Sequence, residues 1–181
     1  MTMKTHEKGF SLIELMMVIG LSSIMFYALS MSMRGGSEQL DSAGLRMNIQ
    51  ESAREGLYRI MQEIRQSSPT RITIGAGGNS IQIRVPDPAN PTNADYTPNW
   101  TNSQNITYTR GGTGNQVIRT DVVTGQTRVV ANDVVTLNFT GNGAAPTLIT
   151  TTLSVQRTLT NGKMVPNPAL QLRAQVRVRN V

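Results

Sequence analysis

From Phe10 to Met33 the chain runs for 24 residues with one charge, Glu14, and no proline. At about 1.5 Å per residue, a helix of this length spans roughly 36 Å, more than the ~30 Å hydrocarbon core of a bilayer. A stretch this apolar must lie in lipid or against other apolar helices. Lys4 and Lys8 precede it, so the short N-terminal tail that carries them is expected to stay cytoplasmic while the remainder is exported.

Glu14 is the anomaly. A cleavable secretory signal has a shorter apolar run, although Ala28-Leu29-Ser30 offers the small residues of a cleavage site. A plain signal anchor accounts for the length and leaves the acid without a reason. A charged side chain in a membrane helix costs on the order of 3 kcal/mol near the centre, less toward an end, and such groups tend to be functional.

The hexapeptide Gly9-Phe10-Ser11-Leu12-Ile13-Glu14, behind a short basic leader, resembles the processing motif of type IV prepilins. The resemblance implies that a membrane-embedded prepilin peptidase cuts between Gly9 and Phe10 on the cytoplasmic side and N-methylates Phe10. It also implies that Glu14 pairs with the terminal amine of a neighbouring subunit as the protein enters a fibre. The spacing suits that chemistry. Cutting leaves an ammonium at Phe10, one helical turn from Glu14, and a carboxylate in hydrocarbon requires a cationic partner. Methylation keeps the positive charge and adds apolar surface. Buried pairs of this kind are better attested as registry devices than as net stabilisers. The family's tip-capping subunit usually lacks the acid, and its major pilins often carry a proline in the apolar stretch. Here the acid is present and the first proline is Pro69, which points to a minor subunit away from the tip.

Arg34-Gly35-Gly36 interrupts the helical pattern, yet Leu45, Ile49, Ala53, Leu57, Ile60, Met61 and Ile64 recur at three- and four-residue steps. The glycines are therefore expected to loosen the helix rather than end it, and Pro69 to mark its end. The stripe is expected to pack on the protein's own sheet in preference to a partner helix. Arg59 and Glu63 stand four residues apart, a spacing that permits a helical ion pair.

After Pro69 the period becomes two. Ile81, Ile83 and Val85 alternate with polar residues, as do Val135, Leu137 and Phe139; Ile149, Leu153 and Val155 share a face. In the last run Leu172, Ala174, Val176 and Val178 face one way, and Arg173, Gln175, Arg177 and Arg179 the other. Such alternation marks half-buried antiparallel strands, with a hairpin at Val122–Gly125. The expected fold is α+β, a long N-terminal helix on a C-terminal antiparallel sheet of six to eight strands. Its boundaries are a leader at 1–9, a membrane and assembly helix at 10–33, its amphipathic continuation at 34–68 and a periplasmic β-rich domain at 69–181. The later segments also resemble the larger minor subunits, called J-type in type II secretion and W-type in type IV pili. The residues concerned are Arg59–Gln66, Tyr108-Thr109-Arg110 and Arg177–Asn180.

The composition excludes several chemistries. There is no cysteine, and the one histidine, His6, lies in the leader. The mature chain then has neither thiolate nor imidazole for nucleophilic, acid–base or metal work. It reads as no enzyme, with no cofactor. Asp87 and Asp95 share a proline-rich loop but fall short of the six to eight oxygens that Ca²⁺ takes; with Asp121 and Asp133 they read as turn residues. Gly111-Gly112-Thr113-Gly114 lacks the Lys-Ser/Thr of a phosphate loop and joins two strands. Tyr96 and Trp100, in the loop Pro86–Gln104, are expected to pin it to the domain, with a partner surface as the alternative.

The formal net charge of +6, carried mostly by arginine, is read first as a solvated surface. The alternative reading makes Arg173, Arg177 and Arg179 a surface for DNA or another partner. The other partners implied by the resemblance are the prepilin peptidase, further pilins or pseudopilins along the N-terminal helix, an inner-membrane assembly platform and lipid. It implies a single-pass inner-membrane protein, C-terminal domain in the periplasm, which then joins a pilus or secretion pseudopilus.

Overall fold

The computed structural model describes residues 11–113, 115–160 and 162–179. The expected processing site, Gly9 and Phe10, lies outside the described residues, as do Gly114 and Asn180.

Helix α1 runs from Leu12 to Gln66. Ser11 starts it. Its carbonyl accepts hydrogen bonds from the amides of Glu14 (3.0 Å) and Leu15 (3.2 Å). Its hydroxyl accepts a weaker one from Glu14 at 3.3 Å, the arrangement of an N-cap. Gly35 and Gly36 cost helix stability, up to about 1 kcal/mol each, but the helix continues through them. It stops where Pro69 opens a short 3₁₀ turn, Pro69–Arg71.

The chain forms two compact units, residues 1–44 and 45–181. In the first, the apolar side chains of α1 are exposed along the whole segment Leu12–Met33. Among the described residues one helix, α1, is long and apolar enough to cross a membrane.

The second unit holds the rest of α1 and eight strands. These are β1 Ile72–Ile74, β2 Ser80–Val85, β3 Gln104–Gly111, β4 Gln116–Asp121, β5 Thr127–Ala131, β6 Val134–Gly141, β7 Leu148–Thr158 and β8 Met164–Arg177. They form a five-stranded sheet in the order β1-β2-β3-β4-β5 and a three-stranded sheet, β6-β7-β8. Every pairing within them is antiparallel. The fold is α+β, a long helix followed by antiparallel sheets.

The helical stripe packs where the periodicity places it. Ile49, Ala53, Ile60 and Ile64 are buried in one core with Ile81, Ile83, Ile106, Leu153 and Val176, and Leu45 and Met61 pack at its margin. Each fully buried aliphatic side chain contributes about 1.5–3 kcal/mol of transfer free energy. At Gly56 the helix meets β5 so closely that an added Cβ would lie 2.8 Å from the Val130 carbonyl oxygen.

Two local expectations need correction. Val134, not Val135, joins Leu137 and Phe139 in the core, because the β6–β7 register shifts between Val134 and Thr136. A bulge inserts an extra residue and reverses the facing of what lies on its far side. Glu63 pairs with Arg119, 56 residues away, rather than with Arg59. The acidic turn residues behave as expected. Asp121 accepts the amides of Val123 and Thr124 to fix the β4–β5 turn. Asp133 sits in left-handed backbone (φ 59°) just before β6.

Candidate functional site

Of the residues expected to serve processing and assembly, Glu14 is the one among the described residues. Glu14 lies in the first turn of α1, exposed, and among the described residues its carboxylate has no ion-pair partner. It is the one charged side chain between Leu12 and Met33. The sequence marks Ser30 only as a small cleavage-site residue and gives no role to the hydroxyls of Ser23 and Ser30. The Ser23 hydroxyl donates to the Ile19 carbonyl and that of Ser30 to the Phe26 carbonyl, each at 2.8 Å. Both hydroxyls thus bring their own acceptor into an apolar medium, where an unpaired polar group costs several kcal/mol. The signal was present as serine in a helical run; only the backbone geometry shows which carbonyl it uses.

In the second unit the main electrostatic feature joins helix to sheet. Tyr108, fully buried on β3, donates its hydroxyl to Glu63 Oε2 at 2.7 Å. Arg119 on β4 donates Nε to Glu63 Oε1 at 3.0 Å. The β3–β4 register sets Tyr108 directly opposite Arg119, so both reach the same carboxylate from adjacent strands. Burial, then the neighbouring carboxylate, holds the Tyr108 hydroxyl far above the ordinary tyrosine range. The contact ties α1 to β3 and β4 of the five-stranded sheet.

The proline-rich loop is pinned as expected of Trp100, whose ring stacks under the Arg71 guanidinium at 4.3 Å. Tyr96 departs from that expectation and is 86% exposed. The Asp87 and Asp95 carboxylates are engaged in turns. Asp87 accepts the Ala89 amide and the Asn102 side chain, and Asp95 accepts the Thr97 amide and hydroxyl. Those Thr97 hydrogen bonds, the hydroxyl's first, hold the Asp95 carboxyl below its usual range. Among the described residues no three His, Cys, Asp or Glu side chains cluster as metal ligands.

Arg173 and Arg177 stand exposed on β8, on the side away from Val176, and Arg179 is exposed just beyond the strand end. Arg179 also lines a cleft with Glu63, Tyr96 and Arg119, a cleft that Arg173 and Arg177 do not reach. The three arginines the alternation groups together are thus not one uniform site.

A family model described as the prokaryotic N-terminal methylation motif matches residues 4–26. The motif is that of type IV pilin-like precursors, which a prepilin peptidase processes, and the β-rich unit lies outside the match. No curated protein and no solved structure matches the chain.

Proposed function

We propose that this protein is a minor pilin or pseudopilin, a structural subunit of a type IV pilus or a type II secretion pseudopilus that acts in fibre initiation. One observation carries the reading: the methylation motif at residues 4–26 heads an apolar stretch, Phe10–Met33, whose single acid follows the expected new terminus by one turn. In this reading prepilin peptidase cuts between Gly9 and Phe10 and methylates Phe10. The helix holds the subunit in the inner membrane, N-terminus cytoplasmic and β-rich domain periplasmic. Assembly then moves the helix from lipid into the fibre, and Glu14 pairs with the terminal ammonium of a neighbour. Transfer is driven from outside, because the mature chain supplies no catalytic set of its own. The J- or W-type minor subunits are the nearest description of the later segments.

Mass spectrometry of the protein from its native membrane tests the first step. The expected mature chain begins at Phe10 and carries one added methyl group. An intact leader, or a terminus near Ser30, overturns the reading. Glu14→Leu is expected to leave membrane insertion intact and to reduce recovery in sheared filaments at least about tenfold, as removing a buried pair's partner costs about 3–5 kcal/mol.

A second reading, a pilus-associated binding module for DNA or a surface, has one observation in its favour. After Asp133 the sequence contains no acid, while Arg157, Lys163, Arg173, Arg177 and Arg179 all follow. The three-stranded sheet therefore presents charge of a single sign, which suits a polyanion.

A further inference from the structure

The second unit contains an open cleft of about 630 Å³ between the end of α1, the starts of β3 and the loop that follows β2. Ligand sites typically occupy roughly 300–1,000 Å³. Four loop prolines, Pro86, Pro88, Pro91 and Pro98, give it an apolar and conformationally restricted wall. Tyr96 and Arg179 also line it, both with side chains open to solvent.

The loop is wound so as to hold Tyr96 outward. Its backbone is in the left-handed region (φ 64°), which is disfavoured for a bulky residue. Hydrogen bonds fix it there, from the Tyr96 amide to the Asn93 carbonyl at 3.0 Å and from the Asn93 amide to the Thr97 carbonyl at 2.8 Å. Asp95 and a bridge between Thr92 and Pro98 close the turn. An aromatic ring kept exposed by an ordered, strained backbone makes no contribution to its own core. Such anchors are the residues that dominate interfaces.

The polar groups of the cleft select for charge. Both of its carboxylates are occupied, Glu63 by Tyr108 and Arg119 and Asp87 by Ala89 and Asn102. Among the described residues Arg179 makes no ion pair, and the contact of Arg119 Nη2, to Gln104, is long at 3.5 Å. Among the charged groups of the cleft the unused capacity is therefore in N–H donors, and guanidinium donors match a carboxylate. The open mouth suits a length of chain passing through, since small molecules are usually held with most of their surface enclosed.

We propose that this cleft binds an extended segment of a partner polypeptide in which a carboxylate stands beside an apolar residue. The carboxylate meets Arg179, and the apolar side chain lies against Tyr96 and the prolines. The proposal uses none of the leader or the membrane helix, so it stands or falls separately from the fibre reading.

The test uses the full chain in detergent. Phage-displayed heptapeptides are selected on it, and the recovered sequences are synthesised and titrated by fluorescence polarisation. The expected result is a shared Asp or Glu next to an apolar residue. Tyr96→Ala and Arg179→Gln should each weaken binding about tenfold, the effect of losing about 1.4 kcal/mol. Arg179→Lys should retain part of the affinity. When Asn or Gln replaces the peptide acid, Arg179→Gln should cause no further loss. Both substitutions are at exposed positions, and circular dichroism checks that the fold is kept. Selection without an acidic consensus, or affinity unmoved by both variants, overturns the proposal. So does phenylpropionate binding as tightly as the peptides, which would make this a small-molecule site.

Discussion

Glu63 shows how one side chain ties a helix to a sheet. It accepts from Tyr108 and from Arg119, whose strands are laid side by side by their register. Hydrogen bonds to a charged group contribute about 1.5–3 kcal/mol, so Tyr108→Phe is expected to lower stability by about that amount in urea unfolding of the detergent-solubilised chain. The tyrosine also sets a pH dependence. Its folded-state pKa is raised above an unfolded value of about 10. Its contribution is then intact below pH ~10 and is lost as pH rises toward the folded value, because the unfolded chain ionises first. Wild type is expected to lose stability above pH ~10, with part of that slope missing in Tyr108→Phe. Identical alkaline slopes in the two proteins would remove this role. The sequence makes Arg59 the natural partner of Glu63 because four residues of helix put them within reach. It carries no sign of Arg119, whose approach exists only after two strands have paired.

At the scale of elements, patterning was readable wherever a segment is regular. The stripe from Ile49 to Ile64, the alternation in β2 and the last strand, and the Val122–Gly125 turn all stand where period and turn chemistry place them. Irregular pairing was not readable. The bulge that exchanges Val135 for Val134 lies in β6, where two residue steps oppose one on β7, and it shows only once the strands have paired; β1, with three residues, is too short to show a period. The partition into five and three strands is likewise a product of long-range pairing. Glycine makes the contrast within α1 testable. At Gly35 and Gly36 an added Cβ meets nothing within 4 Å, whereas at Gly56 it meets the Val130 oxygen at 2.8 Å and the Ala131 Cβ at 2.9 Å. Gly35→Ala and Gly36→Ala should each add about 0.5–1 kcal/mol by helix propensity. Gly56→Ala should lose about 1–3 kcal/mol through overpacking. Thermal melts followed by ellipticity at 222 nm check the signs. Gly56→Ala melting as high as the Gly35 variant would contradict the close approach to β5.

Charge is a property of the whole molecule, and here it is unevenly distributed along the chain. Every acid lies at or before Asp133, and Asp133 itself is engaged by Arg157 through two hydrogen bonds. Arg173, Arg177 and Arg179 are left with no ion pair among the described residues. If the binding-module reading holds, affinity for single-stranded DNA should fall with salt. The slope of log K against log salt should flatten by about 0.7 for each phosphate contact removed in Arg173→Gln, Arg177→Gln and Arg179→Gln. A slope unchanged in the triple variant would show that these arginines make no such contact. The candidate site itself was legible to different degrees. A methylation motif is written in consecutive residues, and its acid is conspicuous because hydrocarbon tolerates so few. The proline-rich loop with Tyr96 stands out in the sequence, but the cleft it lines is completed by Glu63, Arg119 and Arg179 from distant segments, which nothing local brings together. The serines of the apolar segment, finally, bear on what leaving the bilayer would entail. Ser23 and Ser30 hold their protons on the preceding turn whatever surrounds them, so exchanging lipid tails for side chains of another subunit requires no rewiring at either position. In such a move Glu14 is the one charge whose comfort depends on the company it keeps.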